Sequence, residues 1–297
     1  MIRYYPMARA TSLLGGSPVV YDLTQISSMT ACTPAYPPMV RDVETVARSL
    51  RRKNFGTRPT AELGFQVAHS RVRNVAARYE ESSGNLLRSP LDLSASPWAG
   101  IASVARSAER DPTGTLNAWR VTDGSNALAT SIYQTTLSGG TAARLSWYFR
   151  ADTAHAASGE LQAVPLHVQA DAGWQHGAHI YSPLTTYVAA FTCVFYPVLS
   201  TDFALTGNVD LYLPDCRSII PVSGTDEEIL SDLHDKLCSD DWSVELTLDG
   251  GLTWRTVLLQ EYEKAPIKEK WIGHEFRFSL ECSAPIFARP PTLDGRW

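Results

Sequence analysis

Residues 143–150 alternate strictly, with Leu145, Trp147 and Phe149 on one side of an extended chain and Arg144, Ser146, Tyr148 and Arg150 on the other. That period of two predicts a strand with one face in a core and one in water. Residues 209–213 read as another strand, ending at Pro214, and residues 187–199 as one long strand or two short ones. Turn clusters recur between such segments: Asp111-Pro112-Thr113-Gly114, Asp123-Gly124-Ser125-Asn126, Ser138-Gly139-Gly140 and Thr206-Gly207-Asn208. This rhythm predicts a sandwich of short antiparallel strands, and the about 135 residues of 84–218 suit one jelly roll. No helical period appears in that region.

The flanks have a different pattern. Residues 61–67 alternate, and residues 225–237 carry a helix signature. Thr225 is placed as an N-cap with Glu228 at the third helical position, and Ile229, Leu233 and Leu237 form one apolar face. Strands at 243–248 and 252–259 follow, joined by Asp249-Gly250-Gly251, and a last strand at 275–282 stops before Pro285. All five lysines, Lys53, Lys236, Lys264, Lys268 and Lys270, lie outside residues 84–218. We therefore expect a mainly β chain. Residues 1–83 and 219–297 form two halves of a discontinuous β-sandwich or barrel-type assembly domain with one short helix, and residues 84–218 are an inserted antiparallel jelly roll. Basic residues outnumber acids between Arg41 and Arg78, and acids dominate from Asp226 to Glu263. Opposite-sign surfaces of this kind meet within the chain or across a subunit boundary, or stay separately solvated.

Composition narrows the classes further. The 297 residues are 44% apolar and 19% charged with a net charge of −5, which excludes a coiled coil, a disordered tail and a strongly basic nucleic-acid binder. The first twenty residues lack an apolar run of signal-peptide length, and the stretch 187–199, broken by Thr192 and Pro197, is too short to cross a membrane as a helix. Membrane insertion is not expected. Cys32, Cys193, Cys216, Cys238 and Cys282 are odd in number and far apart, so they are expected to be buried free thiols in a reducing compartment.

Residues 84–89 (Gly-Asn-Leu-Leu-Arg-Ser), Asp92-Leu93-Ser94, Trp98, residues 111–121, residues 145–151 and residues 207–212 occur in an order that resembles carbohydrate-binding-module-like jelly rolls. Such modules occur in bacteriophage structural proteins and glycoside hydrolases. Phe55-Gly56-Thr57-Arg58-Pro59, Glu62-Leu63-Gly64-Phe65 and Trp271-Ile272-Gly273-His274-Glu275-Phe276-Arg277-Phe278 resemble the ring-forming β domain of siphophage distal-tail or tail-tip-type subunits. That resemblance implies a structural, non-enzymatic virion protein of the phage tail, assembled in the host cytoplasm. Its partners would be copies of itself in a closed ring, a hexamer being favoured, and other tail proteins. Its jelly roll would face outward and contact host surface polysaccharide. The competing reading is a carbohydrate-active enzyme or a stand-alone polysaccharide-binding protein.

For a sugar site the candidates are Trp98, Trp119, Tyr148, Arg150 and Trp174, since sugars need an aromatic platform beside polar groups. Core or edge packing competes for each of them. Thr247-x-Asp249-x-Gly251-x-x-Trp254 matches the Asp-box of sialidases, and a single copy reads as a structural hairpin without a catalytic residue. Asp210 and Asp215 are the candidate paired carboxylates and the weak candidates for structural calcium. No cofactor is otherwise expected. His176 and His179 have the spacing of a metal pair, but strand geometry would send them to opposite faces and Gly177 suggests a loop, so ordinary loop histidines are expected. His69, His155, His167, His234 and His274 stand isolated in the sequence. No nucleophile elbow, Walker A motif, zinc-protease motif or Rossmann glycine run is present.

Overall fold

The structure, a computed structural model, describes residues 4–26, 29–44, 50–125, 129–182, 186–199, 201, 205–267 and 273–284. The chain divides into two compact units, Met1–Glu80 with Val222–Trp297, and Glu81–Pro221. The seams expected from the lysine distribution, 83/84 and 218/219, lie three residues from these.

In chain order the first segment carries β1 (Met7–Ser12), β2 (Val19–Asp22), β3 (Met29–Ala35), β4 (Pro38–Glu44), β5 (Leu50–Thr57), β6 (Thr60–Ala68) and β7 (Arg78–Glu81). The continuous second unit carries β8 (Ala99–Gly100), β9 (Ser103–Arg106), β10 (Trp119–Asp123), β11 (Ile132–Thr135), β12 (Ala143–Arg150), β13 (His155–Leu161), β14 (Val164–Ala170), β15 (Gln175–Tyr181), β16 (Thr192–Tyr196) and β17 (Gly207–Pro221). The last segment adds α1 (Asp226–Leu237), β18 (Trp242–Thr247), β19 (Arg255–Pro266) and β20 (Gly273–Cys282).

The second unit is an antiparallel sandwich. One sheet runs β15-β12-β17-β10-β9 and the other β14-β13-β16-β11-β8. Its core gathers Leu145, Trp147 and Phe149 of β12 with Phe191, Phe195, Leu211 and Leu161. Each such side chain, fully buried, stabilises the unit by roughly 1.5–3 kcal/mol relative to exposure. Trp147 reaches between the sheets to places where only glycine fits. A Cβ on Gly159 of β13 would run into the indole, and one on Gly177 of β15 would come within 2.9 Å of it. Gly177 is therefore a strand residue chosen for close packing, and His176 and His179 lie on β15 and not in a loop. Cys193 and Cys216 sit together in this core, where their mutual hydrogen bond and burial push the Cys193 thiol far up.

Two strand expectations change. The outer face of β12 is not wet: Arg144, Ser146, Tyr148 and Arg150 are as buried as the core side. β17 does not end at Pro214 but runs on to Pro221, because a bulge carries the proline. Ser146 pairs with Asp215 and Tyr148 with Tyr212, and Leu213 in the gap takes a positive φ of 46°. The bulge leaves the missing N–H of proline outside the ladder.

The first unit is an antiparallel sheet in the order β7-β2-β1-β18-β19-β20-β6-β3, with β4 and β5 forming a separate hairpin; no closed barrel is present among the described residues. α1 begins with the capping box expected at Thr225 and Glu228, each side chain accepting the other's backbone N–H. It buries Ile229, Leu230 and Leu233 against Val244, Leu246, Phe276 and Phe278. Within this unit one residue of the basic stretch, Arg78, meets the acidic one, and Arg9, from outside that stretch, meets it as well. Arg78 Nη1 lies 2.8 Å from Asp232 Oδ2, and Arg9 Nη2 lies 2.7 Å from Glu245 Oε2. Of the cysteines, Cys193, Cys216 and Cys282 are buried and Cys32 partly so, but Cys238 after α1 is exposed. Trp271, Ile272, Pro285, Asn126, Lys268 and Lys270 lie outside the described residues.

Candidate functional site

Strand register assembles a charged row on the outer face of the β12 sheet. Arg120 of β10 pairs with Asp210 of β17, which pairs with Arg150 of β12, so the three side chains stand side by side. Arg120 grips Asp210 with two bonds, Nε–Oδ1 at 2.8 Å and Nη2–Oδ2 at 3.0 Å, while Arg150 Nη1 reaches Oδ2 at 3.3 Å. Asp210 is completely buried. Its hydrogen bond to Arg120 holds that guanidinium above its already high range. Two half-exposed carboxylates complete the network: Asp152, 2.9 Å from Arg120 and 3.2 Å from Arg150, and Glu109, 3.1 Å from Arg150. A parallel row next to it is aromatic, Tyr148 flanked by Tyr212 at 6.2 Å and His176 at 4.9 Å between ring centres. Burial, joined by the charge of Arg144, holds the His176 imidazole well below its usual value.

The rim of this face is where a polar ligand would meet it. Arg150 Nε also donates to the Ala172 carbonyl at 3.2 Å, which anchors the turn between β14 and β15. Trp174 follows in that turn. It is partly exposed, and its indole N–H donates to the Arg110 carbonyl at 2.7 Å, one residue from Glu109. The loop that offers this carbonyl is organised by buried Asp111, whose carboxylate accepts the backbone N–H groups of Thr113, Thr115 and Asn117 and the hydroxyls of Thr113 and Thr115. Trp174, Glu109, Asp152 and Arg120 thus form one rim, with buried Arg150 beneath it: an aromatic plane beside donors and acceptors in fixed positions, the equipment that recognises hydroxyl-rich molecules.

The other sequence candidates have structural employment. Trp98 donates its indole N–H to the Ser89 carbonyl at 3.0 Å and packs against Phe195, and Trp119 donates to Leu91 at 2.9 Å with Arg106 stacked 4.0 Å over its ring. Both pin the segment that enters the sandwich. Tyr148 and Arg150, expected on a solvated face, are each 7% exposed. Asp210 and Asp215 do not fit calcium or a paired-carboxylate site. Two guanidinium groups occupy Asp210, and Arg217 holds Asp215 through Nε and Nη2, both at 2.9 Å. A dication would have to share those oxygens with fixed cations.

In the hairpin of Thr247, Asp249, Gly251 and Trp254 the threonine and the aspartate together hold the turn. Thr247 Oγ1 donates to Asp249 Oδ1 at 2.6 Å and accepts the Asp249 and Gly251 N–H groups, while Asp249 accepts the Thr253 N–H at 2.9 Å. Gly251 takes a φ of +106°, and Arg9 lies 4.5 Å over the Trp254 ring. Leu252, Thr253 and Trp254 stay in the turn, so β19 starts at Arg255 and runs to Pro266.

His176 and His179 face opposite sides of β15, pairing with outward Tyr148 and inward Leu145. Sequence reasoning missed a different set. His69, Glu227 and His274, distant along the chain, converge within the first unit, their ligand atoms all within 4.8 Å of one another. No sequence spacing signals it; the β6–β20 pairing, which sets His274 opposite Val67, two residues before His69, brings the histidines together.

No family model and no curated protein matches the chain. Among solved structures, the chain is similar to the enzymatically active domain of tailspike protein 4 of bacteriophage CBA120, at 12% identity over 46% of this chain and 21% of that one, with a TM-score of 0.33. It is also similar to the family 11 carbohydrate-binding module of Clostridium thermocellum, solved with a mixed-linked tetrasaccharide, at 9% identity over 46% and 96% (TM-score 0.33). A third similar structure is a family 61 module solved with β-1,4-galactotriose, at 11% identity over 46% and 100% (TM-score 0.33). The chain spans about a fifth of the tailspike chain.

Proposed function

We propose that the chain is a non-enzymatic structural subunit of a phage tail, at the distal tail or tail tip. In this reading its first unit assembles a closed ring and its second unit displays a glycan-contacting surface. The observation that carries the binding half is the rim of Trp174, which places a partly exposed aromatic plane beside the Arg120–Asp210–Arg150 network. The ring half is supported by the resemblance of residues 55–65 and 271–278 to ring-forming tail subunits. No cofactor and no nucleic-acid partner are part of this reading.

A glycan array of bacterial surface polysaccharides, followed by calorimetry on the best ligand, tests the binding half. Trp174→Ala should weaken binding by about two- to tenfold, since a stacking contact of this kind contributes roughly 0.5–1.5 kcal/mol beyond its buried area. Mass photometry tests the ring: a closed oligomer is expected, and a monomer at every concentration, absent from virions, overturns it. Polysaccharide turnover by the purified chain, abolished by Asp210→Asn or Asp215→Asn in variants whose melting shows them still folded, would establish the enzymatic alternative.

A further inference from the structure

His69 follows β6, and His274 is the second residue of β20, the strand paired with β6 through Val67 and His274. Glu227 is the second residue of α1. The Nδ1 of His69 lies 3.2 Å from Glu227 Oε2 and the Nδ1 of His274 lies 3.2 Å from Glu227 Oε1; the two imidazoles meet edge to face at 4.8 Å. Ligands held 2.0–2.1 Å from a tetrahedral zinc ion are about 3.4 Å from each other. Each histidine–carboxylate spacing is of that length, though to a different oxygen of Glu227, and one ligand atom from each residue lies within 4.8 Å of the others, so a small turn of the carboxylate and an approach of the imidazoles complete the set. His69 is 53% exposed, free to make that movement. Glu227 also lines an open polar groove with Ser70, Arg73, Ser231 and Asp235, so its carboxylate is reached from solvent.

We propose that His69, Glu227 and His274 form a binding site for a divalent transition metal of the zinc class. Two imidazole nitrogens and one carboxylate oxygen favour such an ion over calcium or magnesium, which take oxygen ligands. The ion ties the first turn of α1 to the neighbouring ends of β6 and β20, three points far apart in the chain. Without metal, Lys264 supplies the counter-charge, its Nζ 2.8 Å from Glu227 Oε1. Burial opposes ionisation of Glu227, but Lys264 and His274 outweigh it and hold the carboxyl below its usual range. Metal binding replaces the ammonium ion, so Lys264 is a competitor and not a ligand. The site is independent of the glycan rim, since it lies in the other unit.

The test is calorimetric titration of the chelator-stripped full chain with zinc, alongside cobalt(II) absorption spectra. One ion per chain is expected, with tetrahedral cobalt bands and no sulfur-to-cobalt charge transfer, together with a melting temperature that rises until the site is full. His69→Ala and Glu227→Gln should each weaken binding by about tenfold or more, at least the effect of removing an outer-sphere partner. Lys264→Met should tighten it, a result that histidines picking up metal non-specifically would not produce. The exposed position of His69 keeps its variant folded, as melting in chelator will verify. Zinc affinity unchanged in His69→Ala overturns the proposal. So does a thiolate charge-transfer band that disappears in Cys238→Ser, which would place the ion on His234 Nε2 and Cys238 Sγ, 3.4 Å apart at the end of α1.

Discussion

Asp210 in the second unit and Asp232 in the first do similar chemistry in different surroundings. Each is a carboxylate gripped by cationic side chains. Asp210 is wholly buried, and its partners Arg120 and Arg150 come from the strands on either side of it in direct register. Asp232 is 30% exposed and collects the Tyr21 hydroxyl at 2.6 Å, Arg78 at 2.8 Å and Lys236 at 3.3 Å from β2, β7 and its own helix. Removing the buried carboxylate takes the central partner from both guanidinium groups and leaves them only the half-exposed Asp152 and Glu109, whereas water can replace much of what Asp232 provides. The same pairing is thus a condition for one unit's sheet and a moderate contribution to the other.

Asp210→Ala should be the most damaging change, lowering stability by about 3–5 kcal/mol in denaturant unfolding monitored by the tryptophans of the second unit. Asp232→Ala should cost less, about 1–3 kcal/mol, most of it from the unpaired Tyr21 hydroxyl and Arg78. Equal losses would remove the distinction between dry and wet carboxylates. The smallest effect separates the units by acidity. His176 and His179 on β15 are held below the usual 6.5 by burial, joined for His176 by Arg144, so they stay neutral when folded and take up protons when the chain unfolds. The unfolded chain then binds more protons. The stability of the second unit is complete above pH 6.5 and falls below it by up to about 1.4 kcal/mol per pH unit for each histidine, until the folded values are reached. Burial opposes ionisation of Asp232 as well, but Tyr21 and Arg78 keep its pKa below the usual 3.8, so its contribution is complete above that value and is lost only as pH falls through the lower folded one. Near-ultraviolet circular dichroism during acidification should therefore record loosening of the second unit first, and His176→Gln should delay it. Simultaneous loss of both units in wild type, unchanged in His176→Gln, would contradict this ordering.

What could be read from the sequence was local. The alternation of residues 143–150 predicted β12, and Thr225 with Glu228 predicted the start of α1, because strand period and capping act within a few residues. The occupancy of a strand's second face does not act so locally. Arg150 reads as solvent-facing until Asp210 and Glu109, distant in the chain, are found against it. Pro214 reads as a strand end, since the bulge that tolerates it depends on the partner strand. Gly177 reads as a loop residue, since the reason for it is an indole thirty residues earlier. The candidate site divides in the same way. Trp174 was visible as an aromatic in a polar turn, but its anchoring carbonyl and ionic neighbours come from other segments. His69, Glu227 and His274 show no spacing pattern at all, because the proximity of their side chains is created by the β6–β20 pairing and the docking of α1.

The split of the first unit also sets an order of manufacture. Arg9 and Glu245, which pair across β1 and β18, are 236 residues apart. At roughly 5–20 residues per second, a ribosome needs about ten to fifty seconds to bring the second into being after the first. Every strand of the intervening sandwich has emerged before then. β1 therefore waits with one edge unpaired through the synthesis of the whole second unit, and β18 covers that edge only afterwards.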